Sequence, residues 1–295
     1  MKTPSLAILA AVFTAAFTGC STLIPPNLGD SSSPRGGEPT VSEKHAAASS
    51  QKTRTPDHPA IGKPHDAAQQ KEQLTTVGGV NVYTTQPFPA VIYRHGLEVD
   101  SDGSPYSYHP KPDDGEGLDY LADAGHPGNW WGIVTDNGSA SGSPVIQTSR
   151  EPAPGFYVSS TSLEDPNFER TDPRKYVNAS AIPFIVLPGR RNDFGGHLGD
   201  IAAVCNFSNG KVAYAIAADQ GPSNKLGEGS VALAKALGVN PSARDGGVGD
   251  GIGYCFFPRS GTGRPQKLAE INQIGAELFS KFGGIARLRE LLDAH

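Results

Sequence analysis

Asp219 and Glu228 stand on either side of a short loop built from Gln220-Gly-Pro-Ser-Asn224. Two carboxyl groups held apart by a tight loop are what general acid and general base cleavage of a glycosidic bond requires: one gives a proton to the leaving oxygen while the other activates water. The same residues also fit a plainer role, with Asp219 capping a turn and Glu228 capping a helix, because surface carboxylates are common in loops. Spacing alone leaves both readings open.

The elements that must position the pair are legible around it. Residues 211–218 alternate Val212, Tyr214 and Ile216 with small residues, the period of a strand with one large-residue face, and Asp219 falls at its end. Gly, Pro, Ser and Asn supply turn chemistry, and Gly227 and Gly229 leave little bulk around Glu228. Ser230 is an N-cap candidate for a short helix in which Val231, Ala234 and Leu237 recur, with Gly238 as its stop. One carboxylate therefore sits at a strand end and the other at a helix entrance.

Three stretches, Gly199-Asp-Ile-Ala-Ala-Val-Cys-Asn206, Tyr214-Ala-Ile-Ala-Ala-Asp219 and Gly227-Glu-Gly-Ser-Val-Ala-Leu-Ala234, closely resemble the core of glycoside hydrolase family 75, the fungal-type chitosanases. Leu97-Glu-Val-Asp-Ser-Asp-Gly103 is similar to that family's acidic strand end, and Ile182-Pro-Phe-Ile-Val-Leu-Pro-Gly189 to its buried strand before the core. Residues 271–282 are similar to its closing helix, so the likeness covers about 87–282. The resemblance implies that Asp219 and Glu228 are the essential pair and that the activity is endo-acting, inverting hydrolysis of chitosan without a cofactor. Two departures stand out: Glu98 replaces Asp in the upstream motif, and the insertion containing Pro127-Gly-Asn-Trp-Trp-Gly132 has no counterpart there. Asp219-Gln-Gly-Pro222 followed by Glu228-Gly-Ser230 and Ala236-Leu-Gly238 also resembles a signature of double-psi β-barrels in bacterial cell-wall lytic lipoproteins. By that analogy Glu228 is the acid and Asp219 the base, with Asp100 or Asp102 as the substitute base.

The formal charge of −5 argues against a nucleic-acid surface and suits a cationic polysaccharide, whose ammonium groups call for carboxylates in the subsites. Glu98, Asp100 and Asp102 alternate, so a persisting strand puts all three on one side; with Tyr214 and Trp130 they form the expected substrate-binding set. Trp130 and Trp131 both offer rings for stacking sugars, and one of the two is expected in the core. The Glu98-x-Asp100-x-Asp102-Gly run also resembles the opening of a calcium loop, but His109 occupies the position where such a loop needs a bidentate Glu. No metal is expected.

At the N-terminus Lys2 precedes an apolar run over 6–17, the length of a signal-peptide core, and Phe17-Thr-Gly-Cys20 resembles a lipobox. The expected organisation is a lipoprotein signal peptide (1–20), a disordered tether rich in Pro, Ser and Ala (21–76) and a catalytic domain (77–295). Cys20 is the expected lipidation site, which implies export and a membrane association through lipid only, at the outer membrane by analogy with Ser21 after the Cys. The domain reads as mainly β, a six-stranded double-psi-like barrel with a few peripheral helices. Its expected strands lie near 90–93, 131–135, 145–148, 156–160, 183–187, 201–206, 212–218 and 252–257. Leu268, Ile271, Ile274, Leu278 and Phe282 share one face of a late helix that packs on the barrel. Cys205 and Cys255 form either a disulfide or two buried thiols. Two other functions remain open on sequence: a peptidoglycan-cleaving barrel enzyme and a non-catalytic glycan-binding envelope lipoprotein.

Overall fold

A computed structural model of the chain describes residues 70–111 and 115–294. The expected signal peptide, Cys20 and the tether as far as residue 69 lie outside the described residues. The strands are β1 (Gln70–Val77), β2 (Val80–Gln86), β3 (Val91–Asp100), β4 (Gly125–His126), β5 (Asn129–Trp130), β6 (Phe184–Pro188), β7 (Ile201–Asn206), β8 (Val212–Gly221), β9 (Glu228–Ser230) and β10 (Val248–Phe257). Three helices accompany them: α1 (Val231–Leu237), α2 (Leu268–Phe282) and α3 (Gly284–Asp293).

Strands β3, β10, β7, β8, β6 and β9 are neighbours in that order, and β9 pairs back to β3, which closes a six-stranded barrel as the sequence predicts. Two of its pairings are parallel, β3 with β9 and β6 with β8. The interior is filled by Leu97, Ile185, Leu187, Ala215, Ala217, Leu233, Tyr254 and Phe256, all buried. Small residues on β8 face inward, so its large ones, Tyr214 and Ile216, face outward beneath α2. Gly275 of α2 is what permits that approach, since a Cβ there would stand 2.6 Å from Tyr214.

The tether expected over 21–76 ends earlier than the sequence suggests, because β1 begins at Gln70. Its residues are polar and mostly exposed, which hides a strand from a reading based on apolar alternation. The hairpin signal was there, however, in Gly78 and Gly79, whose positive φ values of 56° and 85° make the two-residue turn between β1 and β2.

The crossover from β3 to β6, residues 101–183, is irregular. Strands expected at 131–135, 145–148 and 156–160 are reduced to single bridges, Ile133 with Ser159, Thr135 with Pro144 and Ile146 with Tyr157. Gly132, Pro144, Pro152 and Pro154 interrupt these stretches before a ladder can extend. Cys205 and Cys255 are free, buried thiols, so the disulfide does not form. Cys205 pairs with Gly253 and Cys255 with Ala203, which makes the two Cys diagonal neighbours, about 7–8 Å apart and beyond the reach of a bridge.

Candidate active site

Strand register assembles a row of side chains across the outer surface of the barrel. Asp219 of β8 stands opposite Val186 of β6. Ile185 pairs with Gly229 in the antiparallel sense, which sets Val186 opposite Glu228 of β9. Glu228 in turn stands opposite Glu98 of β3. Leu97, Ile185 and Gly229 point inward, so Glu98, Val186 and Glu228 point outward.

Asp219 joins this row through a bulge. Ile185 pairs with Ala217 but Val186 pairs with Asp219, so Ala218 is an extra residue without a partner. Strict alternation would send Asp219 inward with Ala215 and Ala217; the extra residue returns it to the outside. The crossover secures this kink, because Leu163 N donates to Ala218 O at 2.8 Å. Ser162 then meets Asp219, its N donating to Oδ1 at 2.9 Å and its Oγ at 2.6 Å, and Gln220 N donates to the same oxygen at 2.7 Å. Oδ2 takes part in none of these bonds.

Glu228 is held by Lys225, whose Nζ lies 3.4 Å from Glu228 Oε2 and 2.7 Å from Glu98 Oε2. Gly221 leaves the space beside Glu228 open, since a Cβ there would stand 3.3 Å from Oε2 and 3.2 Å from Val186 Cγ1. Ser230 caps α1 by accepting from Leu233 N at 3.1 Å, and its hydroxyl donates to Ile182 O at 2.8 Å. The cap locks Glu228 at the helix entrance.

Around this row the crossover adds a second acidic wall. Asp100, at the end of β3, is buried and accepts from Asp102 N at 2.7 Å. Asp102 accepts from Tyr108 Oη at 2.6 Å and from Ser159 Oγ at 3.1 Å. Asp119 and Asp123 line the same cavity, of about 370 Å³, as Glu98, Asp100, Asp102, Asp219 and Glu228. A second cavity of about 400 Å³ shares Asp102, Trp131, Asp219 and Gln220 with the first and continues over Thr135, Ser139, Ser160, Thr161 and Ser162. One cleft with an acidic lobe and a hydroxyl-lined lobe thus passes over Asp219.

Burial raises the proton affinity of this cluster. Asp100 is held well above the usual carboxylate range by desolvation and then by Asp102, Asp219 and Glu228. Asp102 is raised likewise, by burial and then Asp219, against the hydrogen bonds from Tyr108 and Ser159. Asp119 is pushed up to about 7, chiefly by burial. Asp219 is raised by burial but opposed by its Ser162 and Gln220 donors, and Glu228 is raised by burial but opposed by Lys225. Lys225 itself loses affinity to burial and regains more from Glu98 and Glu228, for a net rise.

The predicted site residues separate into two groups. Asp219, Glu228, Glu98, Asp100 and Asp102 meet in the cleft. Tyr214 does not: it lies on the outward face of β8 under α2, its ring 6.4 Å from Phe279 in an edge-on contact. Trp130 reaches the hydroxyl-lined lobe, but its indole is only 7% exposed and packs with Tyr108, Ala124 and Ile133. The exposed ring of the pair is Trp131, at 59%. Sequence reasoning missed Lys225, Ser162, Asp119 and Asp123. Lys225 had a signal, three positions before Glu228 in the same loop; Ser162 and the two Asp residues had none, since they enter through the crossover. Among the described residues no group of three or more His, Cys, Asp or Glu is arranged to hold a metal ion.

Residues 153–287 match the family model described as fungal chitosanase of glycosyl hydrolase group 75, and no curated protein sequence matches the chain. The matched segment carries Ser162, Asp219, Lys225 and Glu228, while Glu98, Asp100, Asp102, Asp119, Asp123 and Trp131 lie before it. Over that segment, which spans five of the six barrel strands, β6 to β10, the chain is similar to the fungal chitosanases of glycosyl hydrolase group 75.

Proposed function

We propose that the protein hydrolyses β-1,4 linkages of chitosan in endo fashion by a single displacement, with Glu228 as general acid and Asp219 as general base. The observation that carries this reading is the row Asp219, Val186, Glu228, in which one whole strand separates the two carboxylates. Two strand spacings put their backbones about 9–10 Å apart. Inverting enzymes need about 6.5–9.5 Å between carboxyl groups to seat a water, whereas retaining enzymes bring them to about 5–5.5 Å.

The environments fit the two roles. Burial favours a protonated Glu228, as an acid requires, and the absence of a side chain at Gly221 keeps that proton accessible. Three donors on Asp219 Oδ1 favour the carboxylate, as a base requires, and leave Oδ2 for the water. The acidic lobe suits the ammonium groups of glucosamine, and a cleft that continues on both sides of Asp219 suits a chain bound in its middle.

Proton NMR of a fresh digest tests the mechanism: β-linked oligomers should give α-anomeric products before mutarotation, and an initial β-anomer would overturn the single displacement. Reducing-sugar release from chitosan, chitin and purified sacculi side by side tests the substrate, with chitosan expected to lead. We further propose that Cys20 anchors the exported protein by lipid. Cys20→Ala should then move the protein to the soluble fraction with its activity retained, and persistent membrane association would refute the anchor.

A further inference from the structure

Trp131 is held in place as firmly as a core residue, yet most of its side chain is in the open. Its Nε1 donates to Asp123 O at 2.8 Å and its main-chain N donates to Ala124 O at 3.0 Å. His126 packs edge-on at 6.4 Å with a 90° interplanar angle. Gly125 lies beneath, where a Cβ would stand 3.2 Å from Cε3. The one polar atom of the indole is therefore satisfied, and what remains exposed, 59% of the residue, is apolar surface in both lobes of the cleft. Folding alone gives no reason to fix a large apolar ring and leave it wet.

We propose that Trp131 is the sugar-stacking residue of the cleft, receiving the flat C–H face of a β-linked aminosugar ring beside Asp219. A β-1,4-linked hexosamine carries its substituents equatorially, so its axial C–H bonds present an apolar face that matches an indole. The platform lies before the family-matched segment, on the crossover, so the catalytic row and the stacking surface come from separate parts of the chain. The inference rests on reading the cleft as a polysaccharide-hydrolysing site. It adds that this contact selects ring shape rather than charge, and so should be insensitive to salt where carboxylate contacts are not.

The chain has only two Trp residues, which makes the test direct. In a Glu228→Gln background, which binds without turnover, glucosamine hexamer should shift the emission of the Trp130→Phe variant and leave that of Trp131→Phe unchanged. In the active protein, Trp131→Ala should raise KM for the hexamer about tenfold with kcat little changed, at low and high salt alike, and Trp131→Phe should restore part of the loss. A KM that Trp131→Ala leaves unchanged, or an emission shift that survives in Trp131→Phe, overturns the proposal. Should Trp131→Ala fail to fold, the Phe variant carries both measurements. Cleavage of chitosan by a protein whose Trp131 is unresponsive would sink this inference alone; a protein that neither cleaves chitosan nor binds the hexamer would sink the functional reading with it.

Discussion

The two walls of the cleft are built by different means. On the barrel side, Asp219, Glu228 and Glu98 are placed by backbone ladders, and each position is fixed by the register of its neighbours. On the crossover side, the main chain makes the short β4–β5 pairing, isolated bridges and scattered hydrogen bonds but no long ladder, and side chains add much of the hold. Gln147 donates to Pro105 O at 2.7 Å and Tyr157 O at 3.1 Å, Arg170 clasps Thr135 O and Asp136 O, and Tyr176 Oη donates to Arg170 O at 2.8 Å. The crossover's own apolar clusters are small beside the barrel core. A ladder tolerates little displacement, whereas a wall pinned by individual side chains can be altered one pin at a time. The proposed acid and base thus sit on the rigid wall, and Trp131, the proposed stacking residue, sits on the adjustable one.

The largest effect should come from the rigid wall. Glu228→Gln keeps the side-chain volume and removes the transferable proton, so kcat should fall by about 10²–10⁴ with circular dichroism unchanged. Near-normal turnover would remove Glu228 from the acid role. Asp219→Asn should be as damaging, and recovery of rate with added azide would identify the base. Breaking a pin on the other wall should do something else. Gln147→Leu strands the carbonyls of Pro105 and Tyr157, at about 1–3 kcal/mol for each group left buried without a partner. Amide exchange should then quicken across the crossover while the barrel strands stay protected, and KM should rise more than kcat falls. Uniform loss of protection would show the two walls to be one cooperative unit.

The contact between the walls gives a subtler test. Ser162 Oγ favours the charged form of Asp219, so Ser162→Ala should raise that pKa. A base must be ionised, so the acidic limb of kcat/KM should move to higher pH, and an unmoved limb would exclude Asp219 as its source. The smallest effect concerns stability. Burial holds the Asp100 pKa above its unfolded value, so the folded state binds that proton more tightly. The resulting stability is complete below the unfolded value of about 3.9 and is lost as pH rises through the folded pKa. Asp119 loses its share between about 4 and its raised value of about 7. Melting should therefore occur at a higher temperature at pH 5 than at pH 8, and Asp100→Asn should narrow the gap by raising the pH 8 value by about 2–4 °C per kcal/mol recovered.

How much of this was legible follows the same division. The strand that carries Asp219, which runs on two residues to Gly221, the Ser230 cap and the Gly238 stop are local patterns that the structure shows. The mainly β character followed from such strand patterns, and the closed barrel was what the resemblance to double-psi barrels implied. Tyr214 was misplaced because parity decides its side, and β8 turns its large residues toward α2 rather than toward the cleft. α3 is not among the expected elements: Gly283 caps α2 in the left-handed region and α3 starts at the next residue, Gly284. Asp119, Asp123 and Ser162 reach the site through contacts between residues far apart in sequence, which no window along the chain can reveal.

Ala218 carries a consequence for how proteins of this kind gain or lose activity. An odd change in the number of residues within a strand exchanges inside for outside beyond it. Deleting Ala218 would leave Asp219, its loop, Glu228 and Lys225 in the same order and almost the same spacing, yet it would turn Asp219, the proposed base, toward the apolar interior beside Ala215 and Ala217. Such a protein would keep its sequence over 153–287 almost unchanged and, on the proposed mechanism, would be chemically silent. For a homologue of this chain, then, a gap of one residue ahead of the aspartate says more about activity than the aspartate's presence does.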